Sequence, residues 1–177
     1  MSSLSPPQVG RRVVVGLDDQ GHSAAVKVGL SGARRLRPNG AVSTEIWRQE
    51  RLPARTGDDG AREGEMAGSP PADGVTFRIF TLPPNTEAES ADDVEAVAAI
   101  FGASNVGGQQ GGPTLHRVDS FYVATVVAGR AYLVLEAEEV LLEHGDSFVL
   151  PGVLHTWRNP FPEHAVMACA VFPLQSD

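Results

Sequence analysis

The sequence is short of cysteine. Cys169 stands alone, so no intramolecular disulfide and no Cys-x-x-Cys metal or redox motif can form. It lies in the apolar run AVMACAVF and is read as a small buried residue. Long hydrophobic runs are missing as well: nothing approaches the roughly 18 consecutive apolar residues that a membrane span needs. The first residues, MSSLSPPQVGRR, hold no apolar signal core. A cytoplasmic protein without a membrane partner is expected. Basic character is also lacking, since the formal net charge is −8. Phosphate backbones are repelled by such a chain, and neither a helix-turn-helix pattern nor a basic stripe with aromatics compensates. Nucleic acid is therefore not expected as a partner.

Glycine and proline are plentiful, at 19 and 13 residues. They point to many turns and short strands. The 177 residues suffice for one sizeable core, so a single domain over 1–177 is expected. Residues 11–18 and 24–30 read as a hairpin built on Val13, Val14 and Val15. The loop 31–40 holds three arginines and reads as solvated rather than as an anion site. Residues 41–50 alternate, with Val42, Thr44 and Ile46 against Ser43, Glu45 and Trp47, as in a strand with one buried face. Residues 53–74 contain five glycines and three prolines and little apolar content. Such a segment does not offset its ordering entropy, so a disordered, mobile insertion is expected.

The strand 75–83 places Val75, Phe77 and Ile79 on one face. One short helix is predicted from Ser90, as N-cap, through Val94, Val97, Ala98 and Phe101 to a stop at Gly102. The glycine tract 105–113 is followed by no helix, which excludes a phosphate cradle. It reads as a lid or as a plain linker. The stretch from His116 to Asn159 then alternates around Gly129, Gly145 and Gly152. Its end histidines meet only if the sheet between them curls back. Some eight or nine antiparallel strands result, and they must close or sandwich to hide their edges. Period two puts His116, Val118, Ser120 and Tyr122 on one face, and His155 with Trp157 on another.

The segment Gly145-DSFVL-Pro151-Gly152-VL-His155-TWR-Asn159 resembles the second conserved motif of the cupin superfamily. It is one residue shorter between Gly145 and His155, and it keeps the His155-x3-Asn159 spacing. Anchoring the first motif of that family on Gly129 puts His116 at the first histidine position, Val118 at the second and Tyr122 at the glutamate. The resemblance covers about residues 75–173, with residues 11–50 similar to the N-terminal strands of the same family. It implies an all-β fold, the double-stranded β-helix or jelly-roll barrel, with extra N-terminal strands. It also implies a homodimer paired through those strands.

The resemblance turns the histidine faces inward, toward a pocket holding His116, His155, Tyr122, Ser120 and Trp157. Typical cupins bind Fe, Mn, Zn or Ni through three histidines and a glutamate. Here His116 and His155 are the candidate metal ligands, with Asp119, His144 or His164 as further donors. The cofactor expectation stays open between none and one divalent metal. Without metal, His116 or His155 as base and Tyr122 as acid suit isomerisation, cyclisation, dehydration or decarboxylation of a small carbonyl compound. Ser120 and Trp157 would then contact an apolar or aromatic substrate. A metal-dependent dioxygenase and a non-catalytic small-molecule-binding barrel are the alternatives.

Overall fold

Short β-branched runs separated by glycine and proline pair with one another along most of the chain. The computed structural model describes residues 9–87, 95, 97–98, 106–107 and 114–175. In the N-terminal part lie β1 (Arg11–Leu17), β2 (Ser23–Leu30), β3 (Arg34–Leu36), β4 (Val42–Gln49) and β5 (Val75–Leu82). Two short pieces follow, β6 (Val106–Gly107) and β7 (Leu115–His116). The rest comprises β8 (Ser120–Ala128), β9 (Arg130–Val134), β10 (Glu139–Glu143), β11 (Ser147–Pro151), β12 (Thr156–Arg158) and β13 (Ala165–Pro173). Most of the predicted helix lies outside the described residues. Its positions Glu95, Val97 and Ala98 have helical backbone, and Val97 packs with Met66 and Val118. Most of the glycine tract also lies outside them. Among the described residues no helix is long and apolar enough to cross a membrane.

Six strands form one antiparallel sheet in the order β11-β8-β13-β5-β4-β3, and three form another in the order β10-β9-β12. Leu82, Ala124, Val126 and Met167 from the larger sheet share one core with Ala131, Leu133, Leu142 and Trp157 from the smaller. The two sheets therefore face each other across a common interior, as in a jelly roll. The chain passes between them within one residue, at Gly129. This glycine has a φ of +66°, and a Cβ there would stand 2.1 Å from the His164 carbonyl oxygen. Only glycine combines that backbone conformation with so close an approach.

Two strand faces differ from the sequence reading. In β5 the inward residues are Thr76, Arg78, Phe80 and Leu82, while Phe77 is exposed. Apolar alternation pointed the other way because Arg78 and Thr76 are polar residues facing the interior. In β4 both faces are covered rather than one. Gly10, before β1, lies over its second face against the Thr44 side chain, and Ala33 continues the β3 pairing along its edge, where Glu45 N–H donates to the Ala33 carbonyl at 2.8 Å.

Residues 53–74 contain no strand, yet they carry anchors that their composition does not advertise. Met66 is only 1% exposed. The Arg12 guanidinium donates to the carbonyls of Arg62 at 3.0 Å and Ala61 at 3.3 Å, and pairs with Glu63. Arg78 donates to the Ala67 carbonyl at 2.9 Å. After β12, Asn159 is fully buried and pins the returning chain. Its amide donates to the carbonyls of Pro83 at 3.0 Å and Glu163 at 2.9 Å, and its oxygen accepts from Phe161 N–H at 3.1 Å.

Gly129→Ala is expected to destabilise the fold by about 2–4 kcal/mol, because it combines left-handed strain with a backbone clash. Urea unfolding of the variant against wild type measures this as a lower midpoint at unchanged slope.

Candidate functional site

Side chains that face each other across neighbouring strands form rows over the inner face of the larger sheet. Register sets Glu45 opposite Arg78, Arg78 opposite Cys169, Cys169 opposite Ala124, and Ala124 opposite Phe148. A second row runs Ser43, Phe80, Met167, Val126. A third runs Thr76, Val171, Tyr122, Leu150. Together with Trp157 of the smaller sheet, these rows wall a cavity with about 580 Å³ of empty space, its open mouth included. Arg37, Val118, His116 and His155 complete the lining.

The two histidines come from distant segments and are joined by their own backbones. His116 N–H donates to the His155 carbonyl and His155 N–H to the His116 carbonyl, each at 3.0 Å. Their ring centroids are 4.6 Å apart with a tilt of 50°. They are 2% and 4% exposed, so little water reaches them. His155 Nδ1 lies 2.9 Å from the Val153 carbonyl oxygen. A carbonyl only accepts, so Nδ1 carries the proton and Nε2 is the basic atom of that ring. Trp157 meets His155 edge-on at 6.4 Å, and Phe148 and Phe80 tilt against Trp157 at 5.4 and 6.2 Å. These aromatics give the cavity one apolar wall.

Polar groups share the lining with them. Burial holds the Tyr122 hydroxyl above its ordinary pKa, against the opposing pull of Arg78 and Arg37. Tyr122 is therefore a neutral O–H donor at physiological pH. Burial likewise pushes the Cys169 thiol up to about 12, so it is neither a thiolate nor a nucleophile there. Arg78 Nη2 lies 3.5 Å from Glu45 Oε2, and Arg48 Nη1 lies 4.0 Å from the same oxygen. Burial raises the Glu45 carboxyl despite both cations, and it lowers Arg78 despite Tyr122 and Glu45.

Four of the residues read from sequence, His116, His155, Tyr122 and Trp157, line this one cavity. Ser120 does not. It is buried, but the chain bends at 117–119 between β7 and β8, and its carbonyl packs beside Gly152 instead. The extra donors considered from sequence are elsewhere: Asp119 and His144 are exposed, and the half-buried His164 lies off the cavity wall. Sequence reasoning missed Arg37 and Arg78. The arginine cluster at 34–37 was a signal for the first, since Arg37 turns inward instead of into solvent. An arginine inside an otherwise apolar strand was the signal for the second.

The described donor set does not fit a resident divalent metal. Among the described residues no three His, Cys, Asp or Glu side chains converge. Val118 and Tyr122 occupy the positions where the resemblance would call for a further histidine and a carboxylate, and two guanidinium groups share the cavity. Two imidazoles facing two fixed cations make a weak site for a dication.

No family model matches the chain, and no curated protein matches it. Its structure is similar to that of a Salmonella typhimurium protein named for ethanolamine utilization, at 11% identity over 93% of this chain and 97% of that one, with a TM-score of 0.46. It is also similar to an uncharacterized double-stranded β-helix protein from Klebsiella pneumoniae, at 14% identity over 81% and 85% of the two chains, TM-score 0.44. A Cupin 2 conserved barrel domain protein from Salinispora arenicola matches at 16% identity over 78% and 81%, TM-score 0.42.

The buried Cys169 thiol should resist a maleimide reagent at pH 8 in the folded protein and take up one equivalent in denaturant, as read by mass spectrometry. The facing sheets and the sheet switch at Gly129 give this chain a double-stranded β-helix fold, the jelly-roll barrel.

Proposed function

We propose that the barrel is an enzyme that moves protons on a small carbonyl compound without a metal. The observation that carries this reading is the buried pair His116 and His155, with rings 4.6 Å apart in a cavity whose other walls are aromatic and cationic. His155 Nε2 is the base. It takes a proton from carbon next to the substrate carbonyl, and the C–H electron pair moves to the carbonyl oxygen as an enolate. The Tyr122 hydroxyl hydrogen-bonds that oxygen, where developing charge is most stabilised in a dry cavity. In a β,γ-unsaturated carbonyl compound the enolate is a dienolate, and return of the proton to its γ-carbon shifts the double bond into conjugation and completes an isomerisation. Loss of a β-hydroxyl from the same enolate completes a dehydration. Both outcomes are redox-neutral. His116 holds its neighbour's ring in place and is the second proton carrier.

The test follows solvent deuterium. Wild-type protein in D2O, offered a panel of small 2-oxo and 3-oxo compounds, should exchange the proton next to the carbonyl of its substrate, seen by NMR. His155→Ala and His116→Ala should each slow that exchange by about 100-fold or more. Exchange at the wild-type rate in both variants would leave a binding barrel, not an enzyme.

We propose a second copy of the chain as the partner of the β1–β2 ribbon. This ribbon is a sheet of its own. Its inner face carries Arg12 and Lys27, whose hydrogen bonds go to residues 61–63. Its outer face carries Val13, Val15, Leu17, Val28 and Leu30, each about half exposed or more. Apolar residues outward and charges inward is the pattern of a surface covered by a partner. The patch is continuous and self-complementary in chemistry, which suits a two-fold contact. Light scattering should give the mass of a dimer at micromolar concentration, and Val15→Asp with Val28→Asp should give a monomer with unchanged circular dichroism. A wild-type monomer contradicts this assembly.

A further inference from the structure

The two sheets of the barrel turn different outer faces to their surroundings. On the smaller sheet that face carries two ion pairs, Arg130 with Glu143 and Arg158 with Glu139. Such a charged exterior is usual for an antiparallel sheet with one solvated side. The larger sheet lacks it. Strands β8, β11 and β13 contain no charged residue, and the single one in β5, Arg78, points into the cavity. The chain has 22 acidic and 14 basic side chains, so this is placement and not shortage.

The outer face of these four adjacent strands is apolar in register. Phe77 of β5 lies opposite Ala170 of β13, Ala170 opposite Val123 of β8, and Val123 opposite Val149 of β11. Phe77, Val123, Val127 and Val149 are 41%, 42%, 43% and 57% exposed. Phe121 and Phe172 meet edge-on at 6.3 Å on the same face. A contiguous bare apolar surface of this kind marks a contact site.

Two such faces stand on one chain, this one and the outer face of the β1–β2 ribbon with Val13, Val15, Leu17, Val28 and Leu30. A standard interface takes roughly 800 Å² and about 20–30 residues from each partner. The ribbon is too small for that alone, and so is the sheet patch. A ribbon-to-ribbon contact leaves both sheet faces bare, and a sheet-to-sheet contact leaves both ribbons bare. Reciprocal exchange covers all four faces about a single two-fold axis. The sizes also match: a two-stranded ribbon about 10 Å wide lies within a four-stranded face about 19 Å wide.

We propose that the outer face of the larger sheet is the seat for the β1–β2 ribbon of a second copy of the chain. This rests on a second copy being the ribbon's partner, and it adds where on that copy the ribbon lands. Val123 and Val149 lie on the reverse of the strands that carry Tyr122, Phe148 and Leu150 into the cavity. The partner's ribbon therefore backs the cavity wall from outside.

Two variants test the exchange, with light scattering and native mass spectrometry at micromolar concentration. Val15→Lys alters the ribbon and Val149→Asp the sheet. Each alone should dimerise at least about 10-fold more weakly than wild type, since it sets a charge against an apolar partner. An equimolar mixture should regain dimers holding one copy of each. Lysine then meets aspartate at one contact, and the other contact is wild type. Wild-type dimerisation of Val149→Asp overturns the seat, and if Val15→Lys is monomeric the ribbon's self-association still stands. A mixture that stays monomeric overturns the exchange. A wild-type monomer sinks both readings and leaves these faces to a different protein. Should either variant lose its circular dichroism spectrum, a benzophenone side chain at position 15 decides the matter. Its crosslinks should land on β8 or β11 of the other copy, and crosslinks confined to β1 and β2 overturn the proposal.

Discussion

Two peptide hydrogen bonds between His116 and His155 hold the site together. One residue ends the short strand β7, and the other lies between β11 and β12. The reciprocal 3.0 Å bonds carry the β8–β11 pairing, in which Phe121 faces Pro151, on to the two histidines. The bridge fixes both Cα–Cβ directions before any ligand arrives. The imidazoles are then positioned by backbone instead of by flexible side-chain contacts, which is the preorganisation that acid–base chemistry needs. Neighbouring details serve the same end. Gly152, with a φ of +64°, turns the chain just ahead of His155. Asn159 anchors it just after, through three hydrogen bonds of its buried side chain. In this segment the terminal asparagine acts as a structural pin, and the histidine is the chemical group.

Around that bridge the interior divides into two halves of different character. Phe80, Phe148 and Trp157 form a dry face. Arg37, Arg78, Tyr122 and the nearby Glu45 form a charged one. Burying the Arg78–Glu45 pair is poor value for stability, because desolvation offsets most of the attraction. Burial pulls each partner toward its neutral form, Glu45 upward and Arg78 downward. A barrel selected for stability alone would fill these rows with aliphatic residues. Under the proposed function, their polar content serves the ligand rather than the fold. The same polarity makes the loop 53–74 part of the design, since Ala67 supplies a carbonyl to Arg78 and Met66 closes the small core beside Tyr122.

The barrel and its histidines were legible in the sequence because glycine spacing and a motif carry them. Gly129, Gly145 and Gly152 all have positive φ where the turns were read. His116, His155, Tyr122 and Trp157 meet in one cavity. The charged wall was not legible, for a physical reason. Strand faces are inferred from apolar alternation, and that inference inverts wherever a site puts polar residues inside, as Thr76 and Arg78 do in β5. Arg37 was hidden differently: nothing in a run of arginines says which one turns inward. Ser120 lies outside the cavity lining, although His116, Val118 and Tyr122 at the same period line it. The loop 53–74 looked unattached because its anchors are single residues, a methionine and a few carbonyls, that composition averages away.

The central claim is that a histidine pair, unassisted by a resident metal, is the working centre of this barrel. Titration of chelator-treated protein with Zn2+, Ni2+, Mn2+ and Fe2+, followed by calorimetry, tests it most directly. The account predicts no saturable binding at one equivalent in the micromolar range or tighter, and the same deuterium exchange with chelator present. One equivalent of tightly bound metal that is lost in His155→Ala, with exchange abolished by chelator, would contradict it.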